Sequence, residues 1–118
     1  MNKISVLFVC LGNICRSPAA EAIFIRLLER NGLTDAFIVD SAGTGSWHIG
    51  KKADSRMRIA AERRDINILS RARQITSKDF DEFNYILAMD DSNFRNIQDL
   101  NNRTCLLYTS PSPRDKCR

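Results

Sequence analysis

Six positions separate Cys10 from Arg16 in the run Cys10-Leu11-Gly12-Asn13-Ile14-Cys15-Arg16. A thiolate can attack phosphorus, and a guanidinium can present two parallel N–H donors to two phosphate oxygens. For the two to act together, the chain between them must curl around an anion. Gly12 permits such a curl and a close backbone approach. The backbone N–H groups of Leu11 to Arg16 would then line the cradle, and a helix starting just beyond would add its positive end. The same positive end favours the thiolate form of Cys10, and Ser17 could donate a hydrogen bond to it. Read without that chemistry, Cys10 is a buried cysteine at a strand end and Arg16 is solvated. Spacing alone does not separate the two readings; the flanking elements do.

Ile4-Ser5-Val6-Leu7-Phe8-Val9 is a near-continuous apolar run of strand length, the pattern of a parallel strand buried on both faces. Ser17-Pro18 reads as a helix start, a hydroxyl N-cap followed by proline at the first helical position. The helix runs over 18–30 with Ala20, Phe24, Leu27 and Leu28 on one face, and Asn31-Gly32 ends it. A second strand covers Phe37-Ile38-Val39 and reaches Asp40-Ser41. A loop over 43–50 follows, and Asp54 caps a second helix that turns Met57, Ala60 and Ala61 inward. A short third strand is expected near 73–75. Thr76-Ser77-Lys78-Asp79 has the form of a capping box for a one-turn helix carrying Phe80 and Phe83. Tyr85–Met89 is another buried strand, and Asp90 or Asp91 caps a helix to about Leu100 with Phe94, Ile97 and Leu100 on one side. Strands alternating with helices predict an α/β fold: a three-layer sandwich with a four-stranded parallel sheet, the phosphate loop lying after strand 1 at the carboxyl edge where ligands bind.

The stretch Val9-Cys10-Leu11-Gly12-Asn13-Ile14-Cys15-Arg16-Ser17-Pro18 resembles the active-site loop of low-molecular-weight protein tyrosine phosphatases. Further stretches agree: Asp40-Ser41-Ala42-Gly43-Thr44, then Trp47, Gly50 and Asp54, then Ala72-Arg73-Gln74-Ile75-Thr76, then Tyr85-Ile86-Leu87-Ala88-Met89-Asp90 and Asn93. The resemblance implies a phosphatase domain over residues 1–102, followed by a non-family tail over 103–118 that looks like translated read-through. It implies that Cys10 is the nucleophile and Arg16 the clamp on the transferring phosphoryl group. Leu11, Gly12, Asn13, Ile14, Cys15 and Ser17 would hold substrate, with Trp47 a flat wall for the phosphotyrosine ring; a core tryptophan is the alternative there. Asn13, Ser17 and Ser41 would form a hydrogen-bond network under the loop, Asn13 taking a left-handed backbone. A histidine that often joins this network in the family is replaced, since Ser70 precedes Arg71-Ala72-Arg73. His48 reads as a rim residue. Cys10 and Cys15 are close enough in sequence to form a protective disulfide under oxidation; a plain buried loop cysteine is the alternative for Cys15.

Composition fits one soluble domain of 118 residues with a 43% hydrophobic fraction. Apolar runs are too short to span a bilayer, and the first ten residues lack the parts of a secretory signal. Net charge is +4 with a single histidine. The most basic run, from Lys51 to Arg73, reads as a solvated helix face; only Trp47 lies near it for base stacking, so no nucleic-acid partner is expected. The four cysteines show no CxxC or Cys/His cluster, so no metal and no cofactor are expected, and a reducing cytoplasm is the natural setting. Expected ligands are phosphotyrosine proteins or small aryl phosphates, with inorganic phosphate or vanadate in the loop.

The family's general acid is an aspartate before proline near the C-terminus. The sequence contains no Asp-Pro dipeptide, Asp115 is followed by Lys116, and Asp40 and Asp90 do not occupy the acid's motif position, so the general acid is unknown. Two other functions therefore stand beside the phosphatase. One is a thioredoxin-coupled arsenate reductase, which needs two further cysteines such as Cys105 and Cys117. The other is a module that captures phosphotyrosine without turning it over.

Overall fold

A computed structural model gives the fold over residues 3–100, together with the backbone of 106–108. The expectations placed on Cys105, Cys117, Asp115 and the Ser-Pro-Ser-Pro run lie outside the described residues. Four parallel strands form one sheet: β1 (Ile4–Cys10), β2 (Phe37–Gly43), β3 (Tyr85–Ala88) and β4 (Leu106–Tyr108), in the order β2-β1-β3-β4. Strand β1 is central, and its apolar run from Val6 to Cys10 is buried on both faces. The chain leaves β1 toward β2 on one side and returns to β3 on the other. The carboxyl end of β1 is thus a topological switch point, where no neighbouring crossover covers the sheet edge.

Helix α1 (Arg16–Arg30) packs on one face through Phe24, whose ring meets Phe8 and Phe37 edge to face at 5.8 and 5.5 Å. On the opposite face, Leu7, Val9, Ala42, Ile86 and Ala88 pack with Phe80 of α3 (Ser77–Glu82) and with Phe94 and Ile97 of α4 (Asp91–Leu100). A shorter helix, α2 (Ser55–Glu62), is capped by Asp54, whose carboxylate accepts from the Met57 N–H. The layers are therefore helix, parallel sheet, helix.

Three details depart from the sequence reading. The first concerns residues 73–75, which make a single parallel bridge, Gly43 to Gln74, and no strand. The neighbouring N–H groups are committed elsewhere: Arg73 donates to the Asn13 side chain, and Thr76 donates to Asp79 in the capping box of α3. The second is Ser17, which does not cap α1. The helix starts one residue earlier, with Cys15 at the N-cap position and no side-chain cap. Pro18 still falls within the first turn, where its missing N–H costs nothing. The third is the helix faces: Leu27, Ala60 and Leu100 are exposed, while Leu28 and Ile97 are buried.

The bridge at Gly43 is steric as well as polar. A Cβ there would stand 2.7 Å from the Leu11 carbonyl oxygen and 3.1 Å from Asn13 N, both backbone atoms that cannot give way. Gly43 is therefore the position at which β2 can press against the loop after β1.

Arg73 ties these pieces together. Its guanidinium forks onto both oxygens of Asp79 at 3.0 Å each, and its Nε donates to Asp40 at 3.1 Å. Asp79 is nearly inaccessible, with a side-chain exposure of 5%. Removing one member of a buried pair strands the other, typically at about 3–5 kcal/mol. Arg73→Met should therefore destabilise the chain by about 3 kcal/mol, the low end of that range because the guanidinium is partly exposed. Arg73→Lys, which keeps the charge and loses the fork, should cost less. Urea unfolding measures both as a lowered midpoint at unchanged slope; a midpoint unmoved in Arg73→Met would refute the role.

Candidate active site

Residues 11–15 connect the end of β1 to the start of α1, and the carbonyls of Cys10, Leu11, Ile14 and Cys15 are pinned by hydrogen bonds. Thr44 N–H donates to the Cys10 oxygen, Gly45 N–H to Leu11, Asp54 N–H to Ile14 and Ala19 N–H to Cys15, at 2.6–3.3 Å. Carbonyl and N–H point in opposite directions across a planar trans peptide. Fixing those oxygens outward turns the following N–H groups toward the inside of the loop. The N–H groups of Leu11, Gly12, Ile14, Cys15 and Arg16 have no acceptor among the described residues. Converging donors at a helix N-terminus make an anion site.

Asn13 organises the interior. Its φ of +58° is left-handed, a conformation that asparagine tolerates better than most residues. Arg73 N–H donates to Asn13 Oδ1 at 2.9 Å, which fixes the orientation of the amide. Both Nδ2 hydrogens are then committed, to Ser17 Oγ at 2.8 Å and Ser41 Oγ at 3.0 Å. Each hydroxyl, having accepted, must send its single proton onward. Ser17 Oγ lies 3.0 Å from Cys10 Sγ and 3.4 Å from the Ala42 carbonyl; a thiolate can only accept there. Ser41 donates to Glu21 Oε1 at 2.6 Å. Cys10 Sγ also accepts the Asn13 backbone N–H at 3.2 Å. Cys10 is 4% exposed, and its sulfur lies within hydrogen-bond distance of the Ser17 hydroxyl and the Asn13 N–H.

Arg16 opens α1, and Asp90 holds its guanidinium at 2.8 Å with Asn93 beside it. Asp90 also caps α4 by accepting from Asn93 N–H at 2.7 Å. Partial burial pushes this carboxyl up, but donors from Asn93, Arg16 and Ser92 outweigh it and hold it below the usual aspartate range. Asp90 is thus an ionised anchor for Arg16.

Trp47 is 67% exposed, not a core tryptophan. With Leu11, Leu100 and Asp99 it lines a groove of about 310 Å³ beside the loop. His48 lies over Gly12, its Cδ2 2.9 Å from where a Cβ would stand. A side chain at position 12 would therefore have to displace the His48 ring, while the left-handed turn falls on Asn13. Ile14 is half-buried, Cys15 is exposed, and both cysteines are free thiols. Arg73, Arg58 and Arg71 of the basic run are bound to Asp40 and Asp79, to Ala53 O and to Gly50 O respectively. Among the described residues no cluster of three potential metal ligands occurs.

The family model for low molecular weight phosphotyrosine protein phosphatases matches residues 5–109. The chain belongs to that family. It is 50% identical over 96 residues to the low molecular weight phosphotyrosine protein phosphatase of Schizosaccharomyces pombe, covering 80% of this chain and 62% of that protein. The human protein of the same description is 48% identical over 103 residues, covering 86% of this chain and 65% of that one. A crystal structure of a protein tyrosine phosphatase from Entamoeba histolytica superposes with a TM-score of 0.81 at 48% identity, covering 82% of this chain and 62% of that one. This phosphatase-family chain thus spans about three-fifths of the length of curated relatives that it matches.

Sequence reasoning singled out Asn13, Ser17 and Ser41, and the structure brings them together with Cys10. It missed Glu21, Arg73 and Asp90 as parts of this phosphatase-family loop's support. Asp90 carried a signal, standing between a strand and a helix. Glu21 carried none, because a glutamate in the first turns of a helix is ordinary. Its carboxyl is raised above the usual range, chiefly by burial, with Asp40 adding to the shift; hydrogen bonds from Ser41 and Ser70 and the charge of Arg73 oppose it. A raised folded value means the folded state binds the proton more tightly than the unfolded chain. That contribution is full below the unfolded value near 4.5 and is lost as pH rises through the folded one. Glu21→Gln keeps an acceptor for Ser41 and has no charge to bury. The stability of Glu21→Gln relative to the parent should therefore increase from pH 4 to pH 7, read from urea midpoints. A difference that is flat with pH, or that shrinks, would contradict the assignment.

Proposed function

We propose that this chain dephosphorylates phosphotyrosine, in proteins or small aryl phosphates, through a phosphocysteine intermediate. One observation carries the reading: Cys10 Sγ sits under a loop of acceptor-free N–H groups, receives donors from Ser17 and Asn13, and is followed by Arg16. In the first step the Cys10 thiolate attacks phosphorus, an S–P bond forms, and the ester P–O bond breaks to release the phenolate. Charge gathered on the three equatorial oxygens meets the loop N–H groups and the Arg16 guanidinium, held by Asp90. Trp47 and Leu11 offer apolar surface to the aromatic ring, and Ile14 a further contact at the loop. Water then attacks the phosphocysteine and releases inorganic phosphate. Phosphate and vanadate would bind in the same loop. Cytoplasmic location fits a chemistry that needs a reduced cysteine, and no described helix is long and apolar enough to cross a membrane. Exposed Trp47 beside the loop favours an aryl phosphate over arsenate, and the arsenate route would need cysteines outside the described residues.

The proton for the leaving group is a separate matter. Asp90 is tied to Arg16, Asp40 to Arg73, and Glu21 lies beneath the loop on Ser41. We propose that none of them is the general acid and that this 118-residue chain by itself is impaired toward poor leaving groups. General acid catalysis is typically worth about 10²–10⁴-fold. A nitrophenolate can depart unprotonated, whereas a tyrosine phenolate, with a pKa near ~10, needs a proton. Across a series of aryl phosphates the rate should fall steeply with leaving-group pKa, while Cys10→Ser and Arg16→Ala abolish turnover throughout. A flat dependence would mean that an acid is present, with Asp99 at the Trp47 groove the first to replace.

Redox control follows from the same loop. Peroxide converts the Cys10 thiolate to a sulfenic acid, and the Cys15 thiol displaces water from it to give a disulfide. Under mild peroxide, peptide mapping should find a Cys10–Cys15 disulfide, and a thiol reductant should restore activity. Cys10 sulfinic acid as the sole product would exclude it.

A further inference from the structure

A second concavity lies between α1 and residues 65–70. It encloses about 390 Å³, within the ~300–1,000 Å³ common to small-molecule sites. Its sides are unlike. Ile25 and Leu69 supply apolar surface, and Leu69 is among the most exposed apolar residues described. Glu21, Glu29 and Asp65 set three carboxylates against the single guanidinium of Arg26.

That guanidinium is already engaged, with Asp65 at 3.0 Å and Glu29 at 3.7 Å, and its Nε is buried without an acceptor. Glu21 has no cation within ion-pair distance among the described residues. Its hydrogen-bond partner is a hydroxyl, Ser41 at 2.6 Å, with Ser70 beside it in the cavity lining. A carboxylate has about four lone-pair sites, so it is left with unused capacity. A partly buried carboxylate without a paired cation is costly, and the natural way to offset the cost is an opposite charge with N–H donors. The chain as a whole carries +4 and its phosphate loop is electropositive. An acidic concavity on such a chain selects ligands of the opposite kind from those of the loop.

We infer that this cavity binds a small organic cation, an ammonium or amidinium on a short apolar stem, with its N–H groups on Glu21 and its stem against Ile25 and Leu69. The inference does not depend on the phosphatase reading, and its test uses no turnover.

Benzamidine is the probe, titrated into the ¹⁵N-labelled chain at neutral pH and followed by amide chemical shifts. Saturable shifts are expected at Ala22, Ile25, Asn67 and Ser70. Benzamide and benzoate share the ring and lack the cation, and should produce no saturation there. Glu21→Gln should weaken benzamidine by about tenfold or more, the scale of one lost charge-assisted hydrogen bond. Ala22→Leu fills the cavity side without altering the carboxylate and should also weaken it, so the outcome does not hang on one variant. The inference is overturned if the parent chain shows no saturable shifts, if benzamide binds as well as benzamidine, if both variants bind unchanged, or if the shifts fall on residues 11–15.

Discussion

Asn13 holds a positive φ while each of its three side-chain hydrogen-bonding groups is committed, one acceptor to Arg73 N–H and two donors to Ser17 and Ser41. The rest of the site depends on this arrangement. A left-handed residue costs an L-amino acid about 1–2 kcal/mol, and here the turn it makes brings its own backbone N–H onto Cys10 Sγ. The same residue therefore shapes the loop, donates to the nucleophile directly, and donates to it again through Ser17. Because the amide orientation is fixed by a backbone N–H, both serine oxygens must accept from Asn13 Nδ2.

Several segments contribute anchors to that centre. Strand β1 delivers Cys10 at the switch point of the sheet. β2 presses Gly43 against the loop backbone and supplies Ser41. The segment after α2 brings Arg73, whose main chain holds Asn13 and whose side chain is locked between β2 and α3. Helix α4 is capped by Asp90, which orients Arg16. Little of this is apolar packing. The hydrophobic core, centred on Leu7, Val9, Ile86, Phe94 and Ile97, sets where the strands lie; charged and polar anchors then set the loop to within hydrogen-bond tolerances. Such anchors act over short distances and with definite direction, which a catalytic loop requires and an apolar core does not provide.

What could be read from the sequence follows the same division. The apolar run of β1, the Ser17-Pro18 break and the Thr76–Asp79 capping box are local signals, and they placed the sheet, the loop and α3. Cys10 and Arg16 were legible because their spacing and flanks are local too. Residues 73–75 misled, since Gln74-Ile75 resembles a strand until it is known that Arg73 N–H is taken by a side chain sixty residues earlier. Ser17 misled in the same way: it has the residue type of an N-cap, and its hydroxyl is used on sulfur instead. The need for a missing Cβ at Gly43 was not legible, because it arises from contact with residues 11–13, which no window around Gly43 contains. Long-range partners decided each of these cases, and a sequence pattern does not list long-range partners.

The chemistry of the network explains why residue 13 is an amide. The chain of hydrogen bonds has an anion-forming group at each end, Cys10 sulfur and the Glu21 carboxyl, with Asn13 between them. A hydroxyl that donates to an anion becomes a better acceptor at its own oxygen, so hydrogen bonds in series strengthen one another. Ser17 and Ser41 are both polarised in this sense, and both turn their improved lone pairs toward Asn13 Nδ2. Aspartate could adopt the same left-handed backbone, but its carboxylate has no hydrogen to give. It would set a negative group facing the lone pairs of both serines. It would also leave both hydroxyls free to rotate away from sulfur and from Glu21. A neutral double donor at this position serves both serine oxygens and so supports one strained turn; a charged acceptor of the same shape would face their lone pairs and oppose it.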